Sequence, residues 1–256
     1  MKRYEYGNPD SANVLVQLIG DHEVSGMEKE IAHIRDSVGD DFFLLAYKVN
    51  DWNLELSPWQ ASAVFGKEDF GGGAGETLKE LLEELRSDNV LSEGANDEVL
   101  SEKDKEFLLL TGGKDVAGPA CEKKKYYIGG YSLAGLFALW AAYQTDLFTG
   151  VAAASPSIWF PGFIDHMRAG KINADRVYLS LGNREAKTRN PVMATVADCI
   201  EISFDLLRKQ GVESVLEWNE GNHFKNADIR TAKAFSWVLN GPLIYEKEVD
   251  YASNRS

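Results

Sequence analysis

The residues best suited to chemistry cluster around Ser132, in Gly130-Tyr131-Ser132-Leu133-Ala134-Gly135. This stretch is one residue away from G-x-S-x-G. Residues Lys125 to Gly130 read as a short buried strand, and Leu133 to Tyr143 as a helix apolar almost all round. A strand that turns sharply into a helix at a serine is the setting of a nucleophile elbow. Such a turn strains the serine backbone, so the residues two positions away must be nearly free of side chain. Gly130 and Ala134 meet that demand, with alanine in place of the usual second glycine. The spacing also fits a glycine-rich turn whose serine only caps the helix. A serine hydroxyl is a poor nucleophile at neutral pH, so attack would need a base and a group to orient it. His223, in Gly221-Asn222-His223-Phe224, is the candidate base, and Glu185, in Gly182-Asn183-Arg184-Glu185, the candidate acid.

These residues need a scaffold, and the hydrophobic pattern predicts one. Strands are expected at Val14 to Gly20, Asp41 to Val49, Lys125 to Gly130, Gly150 to Ser155, Arg176 to Gly182 and Glu213 to Asn219. Helices are expected between them, at Gly26 to Val38, Thr77 to Arg86, Leu133 to Tyr143, Phe163 to Arg168, Asn190 to Gln210 and Ala227 to Leu239. Six alternations predict one α/β domain with a largely parallel central sheet, helices on both faces and loop insertions over the site. Residues Asn50 to Gly75 form an aperiodic loop with Trp52, Trp59 and Phe65, suited to a functional loop or a packed cover. Asp88 to Lys124 is acidic and polar, then passes through Phe107 to Leu110, read as helical. Its Thr111-Gly112-Gly113-Lys114 lacks the spacing of a phosphate loop. Residues 242–256 are polar and expected to be loosely held.

In such a sheet ligands bind at the carboxyl ends of the strands. Ser132, Glu185 and His223 follow the third, fifth and sixth strands, and the order Ser…Glu…His is that of the α/β-hydrolases. The chain holds 40 acidic residues but only four histidines, so the histidine after the last strand is the less accidental placement. His223 would take the serine proton, and a carboxylate would hold its tautomer. The oxyanion would be held by the N–H of Leu133 and by one from Asp21 or His22, after the first strand. Asp198 is the alternative acid, although it falls inside an expected helix. Asp175 precedes its strand, at the wrong end of the sheet. Ser155 also ends a strand but lacks an elbow glycine and is followed by Pro156. Trp52, Trp59 and Trp159 suit either pocket walls or packing of the cover. His33 reads as structural, and His166 has no partner in sequence. This chemistry requires no metal or organic cofactor.

A net charge of −13 argues against nucleic acid or an anionic membrane as the main partner, since both need a basic footprint. Two cysteines, Cys121 and Cys199, without a CxxC, make a disulfide framework or cysteine zinc site improbable. No apolar run reaches the ~18 residues of a membrane span, and no apolar signal core follows Met1. A cytoplasmic protein acting on a small-molecule ester is expected.

The motifs together resemble a family of α/β-hydrolase esterases that includes esterase D and the siderophore trilactone esterases. The likeness is carried by Gly-Gly-Tyr-Ser-Leu-Ala-Gly-Leu-Phe-Ala-Leu-Trp at 129–140 and Ala-Ser-Pro-Ser-Ile-Trp-Phe at 154–160. Tyr-Leu-Ser-Leu-Gly-Asn-Arg-Glu at 178–185 and Gly-Asn-His-Phe at 221–224 add to it. The resemblance implies ester hydrolysis through Ser132 and His223. Some members of that family work with little help from an acid. An acyltransferase or thioesterase would use the same machinery, and a non-catalytic binding protein on this fold is the third reading.

Overall fold

The computed structural model describes residues 1–64, 66–87 and 124–240. The expectations for Phe65, for 88–123 and for the tail from 241 lie outside the described residues.

The chain opens with β1 (Lys2–Gly7), β2 (Asn13–Ile19), the short α1 (Asp21–Val24), α2 (Met27–Val38) and β3 (Phe43–Lys48). A cover follows, made of α3 (Trp52–Glu55) and a small hairpin of β4 (Gln60–Ala61) and β5 (Phe70–Gly71). Then come α4 (Ala74–Ser87), β6 (Lys125–Tyr131), α5 (Leu133–Gln144) and β7 (Phe148–Ala154). The rest comprises α6 (Phe163–Ala169), β8 (Arg176–Gly182), α7 (Val196–Lys209), β9 (Glu213–Asn219) and α8 (Ala227–Asn240).

The central sheet has the order β1-β3-β2-β6-β7-β8-β9, parallel throughout except for β1, which runs antiparallel on β3. All six expected strands are present. β1 is an addition, and its absence from the sequence reading has a physical cause. It lies at the edge with no fully buried residue, so Lys2, Arg3 and Glu5 share it with Tyr4 and Tyr6 and no apolar run marks it.

β2, β3 and β6 to β8 are buried on both faces, which is why they read as apolar runs rather than alternations. One layer of core lies beneath α4, α5, α6 and α7; the other lies beneath α2 and α8, through Met27, Ile31, Ile34, Phe235 and Val238. Each such fully buried side chain contributes ~1.5–3 kcal/mol relative to exposure. α5 presents ten consecutive buried residues, Leu133 to Ala142, so the helix carrying the elbow is held on all sides.

Two helix starts differ from expectation. The helix predicted from Asn190 begins at Val196, after a 3₁₀ turn at Met193–Thr195. The Asn190 carboxamide oxygen accepts the N–H groups of Val192 (3.0 Å) and Met193 (3.1 Å), closing a local turn that competes with the helix. α4 in turn starts at Ala74, three residues before the predicted Thr77.

The chain leaves β2 toward β3 on one side, whereas β6 and all later strands lie on the other. The strand order therefore reverses between β2 and β6, which opens a crevice at their carboxyl ends. Among the described residues no helix is long and apolar enough to cross a membrane.

Candidate active site

Ser132 sits at the carboxyl end of β6 with φ 57° and ψ −119°, a left-handed conformation that L residues seldom adopt. Its N–H is held by the Ala154 carbonyl at 3.1 Å, at the end of the neighbouring strand. The crowding at this turn explains its small residues. A Cβ on Gly130 would meet the Ala134 Cβ at 2.7 Å, so with alanine at 134 only glycine fits at 130. Ser132 makes no side-chain cap to α5, which removes the capping alternative. Its hydroxyl instead lies 3.0 Å from His223 Nε2 and 3.3 Å from the Ser157 hydroxyl.

His223 arrives on the loop between β9 and α8, and its Nδ1 lies 2.7 Å from Glu185 Oε2. Glu185 arrives on the loop after β8, with its side chain only 5% exposed. Residues from three separate strand ends thus form one hydrogen-bonded line, Glu185–His223–Ser132. The two loops are laced together: Asn183 Oδ1 accepts the Gly221 N–H (3.0 Å), and the Arg184 N–H donates to the Gly221 carbonyl (3.0 Å). Gly182 must be small here, because a Cβ would meet the Gly221 oxygen at 2.5 Å and Glu185 Oε1 at 2.9 Å.

Burial alone would raise the Glu185 pKa. The hydrogen bond and charge of His223 outweigh it, helped by the Gly182 N–H and the Ser155 hydroxyl, and hold the carboxyl below its ordinary value. Glu185 is therefore ionised at neutral pH. An ionised carboxylate on Nδ1 keeps a proton there and leaves Nε2 as an acceptor facing Ser132. Ser157, 3.3 Å from the Ser132 hydroxyl, can then donate to its oxygen.

Three further residues complete the surroundings of the acid, and sequence reasoning missed the part they play. Ser155, dismissed as a rival nucleophile, is fully buried and donates to Glu185 Oε1 at 2.9 Å. The Tyr131 hydroxyl donates to the His223 carbonyl at 2.7 Å; burial pushes its pKa up to about 12, so it is a neutral donor. Arg230, 2% exposed on α8, reaches Glu185 Oε1 at 2.8 Å. One signal for Arg230 was available: it falls on the buried stripe of α8 with Ala234, Phe235 and Val238, a lone cation among apolar residues.

The other expected residues are distributed as follows. Leu133 is the first residue of α5, where its N–H has no intrahelical acceptor. Asp21 and His22 open α1, directly after β2, so their N–H groups are in the same position. The Asp21 side chain accepts from Lys48 at 2.7 Å, and the His22 ring, 72% exposed, meets Trp52 edge-on at 5.4 Å. Trp59 packs in the cover against Phe160 and Phe163 and donates to the Pro161 carbonyl at 2.9 Å. Trp159 is buried beside Phe70. Asp198 is exposed on the first turn of α7, and Asp175 precedes β8. Phe224, not anticipated as a site residue, is 88% exposed and edge-on to the His223 ring at 5.5 Å.

No protein-family model matches the sequence, and a search of the curated proteins finds no match. Solved structures do match. An IroE-like serine hydrolase from Shewanella oneidensis superposes with a TM-score of 0.60 at 14% identity, over 91% of this chain and 74% of that one. The siderophore hydrolase EstA from Aspergillus nidulans gives 0.61 at 19% identity, over 90% and 83%. The enterobactin esterase FES from Shigella flexneri gives 0.56 at 13% identity, over 92% and 54%. The fold is that of the α/β-hydrolases, and the expected likeness to the siderophore esterases holds at the level of fold.

Proposed function

We propose that this chain is a serine hydrolase of carboxylic esters. The observation that carries the reading is the Glu185–His223–Ser132 line, at 2.7 and 3.0 Å, ending on a serine in a strained left-handed turn. His223 Nε2 takes the Ser132 proton as the oxygen attacks the ester carbonyl. The proton then passes to the departing alcohol, leaving an acyl-serine. Water deprotonated by His223 attacks that acyl group, and the proton returns to Ser132 as the acid leaves. Glu185 holds the imidazole tautomer and balances the imidazolium charge. The tetrahedral oxyanion is held by the Leu133 N–H and one from Asp21 or His22. Trp52, beside His22, is a candidate wall of the substrate pocket, whereas Trp59 and Trp159 stiffen the cover.

Several proteins of similar structure are described as siderophore or enterobactin hydrolases, so a trilactone belongs among the substrates tried. The test is covalent labelling by a fluorophosphonate, with burst kinetics on an activated aryl ester and Ser132→Ala as the blank. Labelling and a burst in the wild type alone are expected; an unlabelled wild type overturns the proposal. Added alcohols separate hydrolysis, which gives only the acid, from acyl transfer, which gives a new ester.

A further inference from the structure

Arg230 is a buried cation placed between the acid and the loop that carries the base. Its Nη1 donates to Glu185 Oε1 (2.8 Å), the Ser155 hydroxyl (3.0 Å) and the Tyr131 hydroxyl (3.1 Å). Its Nη2 donates to the carbonyls of Asn222 (3.1 Å) and Glu220 (3.3 Å), in the loop that leads to His223. Tyr131 closes the ring by donating to the His223 carbonyl. We propose that Arg230 is the positioning residue of the site, setting the orientation of Glu185, the seat of His223 and the charge balance of that pair. The proposal rests on the serine-hydrolase reading above.

The division of labour on the carboxylate is the first argument. Oε1 receives Arg230, Ser155 and the Gly182 N–H (2.6 Å), and Oε2 is left for His223. Three donors on one oxygen fix the rotation of the carboxylate, so the other oxygen meets Nδ1. The second argument is the backbone. A guanidinium is a rigid planar fork, and here it binds side chain and main chain of two different loops at once. No other group among the described residues ties Glu185 directly to the main chain of the β9–α8 loop. The hydrogen bonds of Arg230 go to the acid and to the loop that carries the base, not to Ser132, so it acts through the pair.

The third argument is electrostatic. The charged and titratable groups facing Arg230 are Glu185 from the β8 loop, His223 from the β9–α8 loop and Tyr131 from β6. Tyr178 of β8, hydrogen-bonded to Glu217 of β9, lies within its field as well. A fixed positive charge beside the Glu185–His223 pair disfavours adding a proton to it. Removing that charge makes the pair take up a proton at higher pH, so activity should fail earlier on acidification. A residue that merely holds the fold together would change the amount of active protein without moving this limb.

The experiment is a pH profile, from 5 to 9, of kcat/KM on an aryl acetate and of the fluorophosphonate labelling rate, using the full chain. Arg230→Met is expected to lose about 100-fold or more through misplacement of the pair. Its acid limb should rise by about one pH unit or more. Arg230→Lys keeps the charge, so its limb should stay with the wild type while kcat falls about tenfold from the lost fork geometry. Tyr131→Phe should lower kcat roughly three- to tenfold with KM unchanged. An Arg230→Met limb that superimposes on the wild type overturns the proposal. If that variant does not fold, Arg230→Lys and Tyr131→Phe decide: loss of kcat at constant KM supports the proposal, and wild-type kcat in both overturns it. An inactive, unlabelled wild type refutes the hydrolase reading, whereas an active wild type with unresponsive Arg230 variants refutes the positioning role alone.

Discussion

Two glutamates at the carboxyl edge of the sheet are held by the same local device and have opposite proton affinities. Glu185 follows β8 and accepts the Gly182 N–H at 2.6 Å, while its own N–H returns to the Gly182 carbonyl at 3.0 Å. Glu23 follows β2 and does the same with Gly20, at 2.8 and 3.1 Å. Both close a strand-Gly-x-x-Glu turn. Yet Glu185 is held below the usual carboxylate range, whereas burial pushes Glu23 up to about 7 against the pull of the Gly20 N–H. The difference lies in what each carboxylate meets across space. Glu185 has His223, Arg230 and Ser155. Glu23 has only the exposed His22, at 3.9 Å, as a charged partner among the described residues, so burial dominates. A turn motif can place a carboxylate; only its neighbours decide whether it keeps its charge.

The largest effects should fall on the groups that Glu185 serves. Ser132→Ala or His223→Ala should lower kcat/KM by about 10⁴–10⁶. Ser132→Ala at wild-type activity would remove the hydrolase reading altogether. Glu185→Gln should cost ~10³–10⁴, because the amide neither fixes the tautomer nor balances an imidazolium. The matching change on the other side, Glu23→Gln, retains an acceptor for the Gly20 N–H and should leave kcat/KM within about twofold. Equal losses in the two variants would dissolve the contrast between the turns. Asp198→Asn, on the exposed face of α7, should also stay near wild type; a crippled Asp198→Asn beside an active Glu185→Gln would reassign the acid.

Stability gives a further contrast of opposite sign. Because Glu23 titrates near 7 in the folded chain and near 4.5 unfolded, folding binds a proton between those values. Its contribution is neutral below pH ~4.5 and increasingly unfavourable up to pH ~7. Glu23→Gln should therefore add about 1–3 kcal/mol at pH 8 and almost nothing at pH 4, read by urea denaturation. Glu185, with its folded pKa depressed, stabilises above its unfolded value and loses that contribution as pH falls through the folded one. Glu185→Gln should be most destabilising at neutral pH and least so in acid. The same pH trend in both variants would mean that the two carboxylates do not differ as described.

Much of the architecture was legible in the chain. The apolar runs of β2, β3 and β6 to β8 mark doubly buried strands, and the stripes of α2, α4 and α8 mark their faces, because burial imposes those periods on neighbouring residues. The elbow was legible too, since Gly130, Ser132 and Ala134 answer a steric demand within one turn of chain. β1 was not, because an edge strand need bury little. The start of α7 was not, because one asparagine side chain diverts the backbone. Arg230 was missed, although it falls as an odd cation on the buried stripe of α8. Its partners Tyr131, Ser155 and Glu185 lie 99, 75 and 45 residues away in sequence.

By itself, then, the sequence determined the alternating α/β order, the strained serine turn, and a histidine and a glutamate at the ends of later strands. Each of these follows from steric or burial demands that act between near neighbours. The tertiary structure decided which acid meets the histidine, which buried glutamate keeps its charge, and that an arginine from the last described helix braces both. Desolvation and charge pairing act through space, so they are set only when strands far apart in the chain bring their ends to one edge of the sheet.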